Sequence, residues 1–244
     1  MNIDPTSFGK IVALDLMTLA QLHDRELDRH AVRALRDDGF PRNLGLRLTS
    51  QDAATATVML AGGLAALSLT QRALDELAAD FAAIYLNNSL GAHPCESVWL
   101  DEDGLAMQEP MFQVRERYAQ FGFRVPDWRK RADDHLVFQL QFVAALVEDQ
   151  RRSSLVAAAD FLDMHLLRWL PGFAGKVTAR AATPLYAGVA MLTSIYVDEL
   201  RDILAALLDE PRPTADEVEA RARRQVSAPP EVPVAYLPGS APTW

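Results

Sequence analysis

Apolar side chains recur every three or four residues along most of the chain, which is the spacing of one face of an α-helix. Before residue 130 this pattern covers five stretches, at 8–22, 24–38, 52–69, 74–85 and 108–121. A further stretch from Asp133 to about Glu148 is apolar on nearly every side, and a helix of that kind is expected at the centre of a fold. The pattern therefore predicts an all-α protein, a single helical bundle of roughly ten helices.

The later helices are marked by proline and by threonine. A helix is predicted from Leu155 to Leu170, and Pro171-Gly172 is expected to end it. Thr183-Pro184 predicts the start of a long helix that runs to about Leu207, with threonine as the cap and proline in the first turn. A short charged segment at 214–225 is also compatible with a helix.

Composition changes near residue 211 and sets the expected domain organisation. Residues 1–210 are predicted to form the helical domain, and 211–244 a charged and then proline-rich extension, with five prolines in 226–244.

Ala53–Thr70 is uncharged and long enough to reach the minimum length of a membrane-spanning helix. Because it is rich in alanine, glycine and hydroxyl residues, it is predicted to be a buried helix without stable membrane insertion. No signal-peptide pattern opens the chain at Met1–Lys10.

The charge and cysteine content narrow the possible partners. The net charge of −9 and a pI near 5.0 argue against nucleic acid, which requires clustered lysine and arginine, but are compatible with a basic peptide. Half of the residues are hydrophobic, so a packed core is expected. Cys95 is the single cysteine, which excludes an internal disulfide and suits a reducing compartment.

Motifs for catalysis and metal binding are absent. The chain has no nucleophile elbow, phosphate loop, dinucleotide fingerprint or zinc-protease motif. His93-x-Cys95-Glu96 has no second ligand pair at zinc-finger spacing, so no metal and no cofactor are expected. A hydrolase built on Ser97, His135 and Asp134 is conceivable. Neighbouring residues on a helix point about 100° apart, however, so Asp134 is poorly placed to orient His135.

Two short segments carry the remaining chemistry. Asp133-Asp134-His135 opens the apolar helix. The two acids can cap this helix and complement its dipole, but capping does not account for the histidine. Glu96–Leu100 places Trp99 in an acidic loop, where it can be a core residue or a contact residue. Tyr85, His165 and Trp169 are more typical of a core than of a site.

The order and spacing of these segments resemble the TorD/DmsD/NarJ family of cytoplasmic chaperones for molybdenum-containing redox enzymes, closest to the TorD/DmsD branch. The resemblance covers about residues 55–205. It rests on an ordered set of short motifs: Tyr85, Glu96-Ser97-Val98-Trp99-Leu100-Asp101, Tyr118-x-x-Phe121-Gly122-Phe123, Asp133-Asp134-His135-Leu136, Leu140-x-Phe142, His165-Leu166-x-x-Trp169-Leu170 and Leu185-Tyr186.

The resemblance implies a non-enzymatic, all-helical chaperone that binds the twin-arginine leader, or the cofactor-free form, of a molybdenum-cofactor oxidoreductase subunit. It implies help with cofactor insertion and delayed export of that client, and a monomer or a domain-swapped homodimer. The residues implied to bind the client and its signal peptide are Tyr85, Glu96, Ser97, Trp99, Pro126, Asp133, Asp134 and His135.

The residues fit that role in one respect and depart from it in another. A leader with two arginines and an apolar helix requires acids beside an apolar groove. Family members often have Glu-Pro before the acid-acid-His run, whereas Arg131-Ala132 stand here. A cation at that position opposes an arginine-rich peptide unless it points away. A helical adaptor for an unrelated partner is the remaining alternative to a chaperone or hydrolase.

Overall fold

The computed structural model describes residues 5–127 and 129–227, and this part of the chain contains α-helices and no β-strand. The prediction of an all-α fold is therefore confirmed. The helices are α1 (Pro5–Asp24), α2 (Arg29–Asp37), α3 (Gln51–Ala66), α4 (Gln71–Phe81), α5 (Ser97–Leu100), α6 (Glu109–Gln120), α7 (Leu136–Asp149), α8 (Arg152–Phe161), α9 (Leu167–Arg180), α10 (Pro184–Leu208) and α11 (Ala215–Ser227).

Two five-residue π-helical turns interrupt the regular pattern. One, Ala82–Leu86, extends α4, and the other, Leu162–Leu166, joins α8 to α9. A π-turn inserts an extra residue into the helical repeat and so rotates the side chains that follow it. Tyr85 and His165, two residues of the family-like motifs, lie within these turns.

The helical core surrounds α7 and α10. Most side chains of α7 are buried, as its sequence pattern predicts. α1 packs along α7, and Gly9 makes this crossing close, because a Cβ at that position would lie 2.6 Å from the Val147 carbonyl oxygen. α10 packs between α3 and α9, with Gly188 against Leu60.

The observed starts of the helices lie closer to their predicted positions than the observed ends do. Ser50 caps α3 by accepting the Ala53 N–H, as expected from its hydroxyl group. Thr183 precedes α10 as predicted, but its hydroxyl donates to Asp80 at 2.5 Å and does not cap the helix. The buried Asp80 carboxylate accepts the Thr183 N–H instead.

The predicted end at Pro171-Gly172 is wrong, because α9 continues through Pro171 to Arg180. Proline removes one backbone donor but does not by itself forbid a helix that is held by packing. Trp169, Leu170 and Phe173 are buried around Pro171, and this burial outweighs the lost hydrogen bond.

The chain divides into two compact units, Met1–Arg212 and Pro213–Trp244. Within the second unit α11 begins with a capping box, in which the Thr214 hydroxyl accepts the Glu217 N–H and the Glu217 carboxylate accepts the Thr214 N–H. The proline-rich end of the predicted extension, 228–244, lies outside the described residues. Among the described helices none is long and apolar enough to cross a membrane.

Candidate functional site

The two segments with candidate chemistry meet in the structure, although 37 residues separate Ser97 from Asp134 along the chain. The Leu136 N–H donates to the Pro94 carbonyl at 2.9 Å, and the Glu96 N–H donates to the Asp134 carbonyl at 3.2 Å. These bonds form a single antiparallel bridge between Cys95 and His135. We call residues 94–97 and 133–136 the acid-histidine corner.

Asp134 is fully buried and holds the start of α5. Its Oδ2 accepts the Ser97 backbone N–H at 2.7 Å and the Ser97 hydroxyl at 2.5 Å. Its Oδ1 is buried without a hydrogen-bond partner among the described residues. Burial raises the pKa of Asp134, against the opposing effect of the two bonds from Ser97. Asp134 therefore joins the two segments internally and does not present a surface charge.

Glu96 is also fully buried and joins three elements. Its Oε1 accepts a hydrogen bond from His165 Nδ1 at 2.8 Å, and its Oε2 accepts one from the Gln139 side chain. Gln139 in turn accepts the indole N–H of Trp169 at 3.2 Å. The network links the corner to α7, α9 and the second π-turn, so the carboxylate of Glu96 is committed to interior groups.

Asp133 and His135 are buried on either side of Asp134. Asp133 accepts two hydrogen bonds from Arg115, at 2.7 and 3.1 Å, and its carbonyl accepts the Tyr118 hydroxyl. The predicted cap of α7 was Asp133, but the cap residue is His135, whose Nδ1 accepts the Val137 N–H at 3.2 Å. Burial, reinforced by the nearby Arg131, lowers the pKa of His135, in keeping with a neutral ring.

Trp99 is half-buried at the edge of the corner. Its indole N–H donates to the His93 carbonyl at 2.8 Å. The ring lies against Gly172 of α9, and the Lys176 ammonium is 4.4 Å from the ring centroid. Trp99 therefore packs against α9 and also remains partly accessible. It combines the two roles, core residue and contact residue, between which the sequence could not decide.

Tyr85 points its hydroxyl into the core. The hydroxyl lies 2.6 Å from His23 Nδ1, and His23 Nε2 lies 2.9 Å from the Thr193 hydroxyl. Because the Thr193 hydroxyl donates its hydrogen to the Val189 carbonyl, His23 Nε2 must be the donor and Nδ1 the acceptor. Burial lowers the pKa of His23 to about 3, which agrees with this neutral form.

Sequence reasoning missed His23 as the partner of Tyr85. The available signal was a lone histidine at the end of an apolar helix, and nothing local connects it to a tyrosine 62 residues away. Pro126, another predicted site residue, is exposed in the loop before Asp127.

Arg131 is held by α1 through an ion pair with the Asp24 side chain and a 3.1 Å hydrogen bond to the Asp24 carbonyl. Its guanidinium also lies 5.7 Å from the centre of the Phe138 ring. A cation at the carboxyl end of a helix is favourable to the helix dipole. The positive charge of Arg131, which would repel an arginine-rich client if it were free, is therefore paired with Asp24.

The geometry does not support the hydrolase alternative. Ser97 donates its hydroxyl to Asp134, while His135 uses Nδ1 to accept a backbone N–H. A serine nucleophile needs the histidine as its base and the acid behind that histidine. Across the described residues no group of three histidine, cysteine, aspartate or glutamate side chains is placed to hold a metal ion.

Comparison with known proteins gives consistent matches. The profile of the family described as nitrate reductase delta subunit matches residues 49–175. A protein of Vibrio cholerae serotype O1 named Chaperone protein TorD is 35% identical over 144 residues, which are 55% of this chain and 65% of that protein. Its namesake in Vibrio parahaemolyticus is 32% identical over 126 residues, which are 48% of this chain and 59% of that protein.

A longer alignment joins the chain to a Chaperone protein TorD of Vibrio atlanticus, with 27% identity over 181 residues. It covers 70% of this chain and 82% of that protein. The first two alignments span less than two thirds of the relatives' length, and all three relatives carry the same name.

Proposed function

Because the chain belongs to the nitrate reductase delta subunit family, we propose that it is a chaperone for a subunit of a molybdenum-cofactor oxidoreductase. The observation that carries the proposal is the family match together with relatives named Chaperone protein TorD. In this proposal the protein acts in the cytoplasm, holds the cofactor-free client, assists cofactor insertion and delays export.

The twin-arginine leader is the proposed recognition element of the client. The net charge of −9 favours encounter with a cationic segment and raises its association rate at low salt. The pairing of Arg131 with Asp24 supports the proposal, because it neutralises a cation beside the acid-histidine corner, and Arg115 is likewise paired with Asp133. The apolar half of a leader requires a separate apolar surface on the chaperone.

The predicted site residues divide into two roles within this proposal. Trp99, Pro126 and the outer edge of Tyr85 offer accessible surface to the client. The buried members of the corner hold that surface in position and do not touch the client; they are Glu96, Ser97, Asp133, Asp134 and His135. Five buried polar groups in one connected region are costly to arrange unless they are paired, and their pairing fixes α5, the helix that contains Trp99.

Calorimetric titration of the full chain tests the proposal. The probe is a synthetic leader peptide with two adjacent arginines and an apolar stretch, and the matched control peptide has glutamines in place of both arginines. We expect saturable binding with a Kd of about 1–10 μM, and weaker binding of the control. Lack of detectable heat at ~100 μM peptide, with a folded protein, refutes leader recognition.

A second experiment tests the client. Affinity recovery of the chain from its native cell, followed by mass spectrometry, should yield a large molybdenum-cofactor oxidoreductase subunit that carries a twin-arginine leader. Recovery of an unrelated protein as the dominant partner supports an adaptor and contradicts the chaperone proposal.

A further inference from the structure

An open groove of about 440 Å³ lies between α3, α9 and α10, away from the acid-histidine corner. Its walls share small or apolar side chains, with a single charged residue among them. The lining residues are Asp52, Thr55, Pro171, Ala174, Gly175, Thr178, Ala179, Met191, Ser194 and Ile195. We call this the α3/α9/α10 groove.

The contacts of the three helices give the groove two distinct ends. Gly188 packs on Leu60, and Thr49 and Ser50 bind Glu199, so α3 runs antiparallel to α10. Only residues 181–183 connect α9 to α10, and the Thr178 hydroxyl near the end of α9 donates to the Ala187 carbonyl near the start of α10, so α9 also runs antiparallel to α10. Asp52, Pro171 and Ile195 therefore share one end, and Ala179 lies toward the other.

One end of the groove is acidic and the rest is uncharged. Asp52 is exposed in the first turn of α3. Glu199 lies just beyond Ile195 on α10, and hydrogen bonds from Ser50 and Thr49 lower its pKa, although burial acts in the opposite direction. Asp52 and Glu199 thus mark the acidic end, and the other residues that line the groove carry no charge.

The helix α9 connects the groove with the proposed client surface. Gly172 lies under the Trp99 ring, and its neighbour Pro171 lines the groove. One helix therefore contacts Trp99 and forms a wall of the groove at consecutive residues.

The walls suit a helix as the occupant. Ala174, Gly175 and Thr178 follow one another at helical spacing along α9, and short side chains allow another backbone to approach closely. Met191 and Ile195 are half-buried on α10 and form an apolar floor. An apolar groove with this floor matches the helix-in-groove mode of peptide recognition.

We propose that the α3/α9/α10 groove binds the apolar helical part of the client leader, with the leader's cationic end at Asp52. This inference rests on the proposed function and adds the place and direction of binding. Charge complementarity selects the occupant, because a peptide with cations at one end and an apolar helix behind them matches the groove's single acidic end.

Filling the groove is the direct test. A Cβ at Gly175 or at Gly62 meets no atom within 4 Å, so both helical positions accept a larger side chain without a clash. Gly175→Leu fills the groove and should weaken binding of the arginine-containing leader peptide at least 10-fold. Gly62→Leu makes the same change on the exposed face of α3 outside the groove and should change the Kd less than 2-fold.

The direction of binding is tested with Asp52→Asn. This variant should weaken the arginine peptide 3- to 10-fold and leave the glutamine control peptide unchanged. Asp37→Asn, which removes an exposed acid from α2, is the matched control and should not discriminate between the peptides. Equal effects of Asp52→Asn on both peptides contradict the assigned direction.

The outcomes separate this inference from the proposed function. If wild-type protein binds the leader and Gly175→Leu binds it equally well, the groove assignment fails and leader recognition stands. If wild-type protein does not bind the leader, leader recognition itself fails, and the groove assignment fails with it. A change in sedimentation of Gly175→Leu without a change in peptide affinity shows instead that the groove is a contact between two copies of the chain.

Discussion

The carboxylate of Asp134 accepts both the backbone N–H and the hydroxyl of Ser97, at 2.7 and 2.5 Å. This pair joins the start of α5 to the residues before α7. In the sequence Asp134 looks like a surface charge, whereas in the fold its bonds to Ser97 make it a buried structural group.

Asp134→Ala should lower the free energy of unfolding by about 2–3 kcal/mol, because it leaves two buried donors of Ser97 without an acceptor. Urea denaturation followed by circular dichroism measures the change. Glu102→Ala, at an exposed loop acid, is the control and should change stability by less than ~0.5 kcal/mol. Equal stability of Asp134→Ala and wild type would contradict the structural role.

Asp134 also predicts a dependence of stability on pH. Burial raises its pKa above the ordinary value of 3.8. The folded state then holds the proton more tightly, so the contribution of Asp134 is fully present below pH 3.8 and is lost as pH rises through the folded pKa. Asp134→Asn remains neutral, so the stability difference between wild type and this variant should shift in favour of the variant as pH rises from 4 to 7.

His23 predicts the opposite dependence. Burial lowers its pKa from 6.5 to about 3, so the unfolded chain binds a proton that the folded chain excludes. The stability contributed by neutral His23 is complete above pH 6.5 and declines by up to ~1.4 kcal/mol per pH unit as pH falls toward 3.

The His23→Leu variant tests that decline. Its free energy of unfolding should vary less between pH 6.5 and 4 than that of wild type, whatever its absolute stability. His30, an exposed histidine of α2, provides the matched variant His30→Leu, which should retain the wild-type slope. If the free energy of unfolding of His23→Leu depends on pH as steeply as that of wild type, another group governs unfolding in acid.

The crossing of α1 and α7 makes Gly9 sensitive to any side chain. Gly9→Ala places a methyl group 2.6 Å from the Val147 carbonyl oxygen and should destabilise the protein by about 1–3 kcal/mol. Gly175→Ala has free space and should be neutral or stabilise by up to ~1 kcal/mol, since alanine favours the helix. Thermal melts of the two variants distinguish a close crossing from the general effect of removing glycine.

The ion pair between Arg131 and Asp24 lies beside the acid-histidine corner, outside the groove assigned to the leader. Asp24→Asn leaves the Arg131 charge without its acid and should therefore change the Kd of the arginine-containing leader peptide less than 2-fold. A 2- to 5-fold weakening of the arginine peptide, restored by Arg131→Gln in the same background and absent for the glutamine peptide, would place the leader's arginines at the corner and contradict the assigned direction.

The sequence by itself determined the helical class, most helix starts and the order of the family motifs. Apolar spacing and capping residues act over a few positions, so the segments that became α3, α7 and α10 could be located without knowledge of their partners. The resemblance to the TorD/DmsD/NarJ family was confirmed for the same reason, because short motifs in a fixed order are a property of the chain.

The tertiary structure decided the environment of each candidate residue. Ser97 meets Asp134, Tyr85 meets His23 and Arg131 meets Asp24, and each pair joins residues far apart in the chain. Local pattern contains no information about such pairs, because burial and hydrogen bonding depend on which elements pack together. The continuation of α9 through Pro171 has the same origin, since surrounding side chains hold a helix that local preference would end.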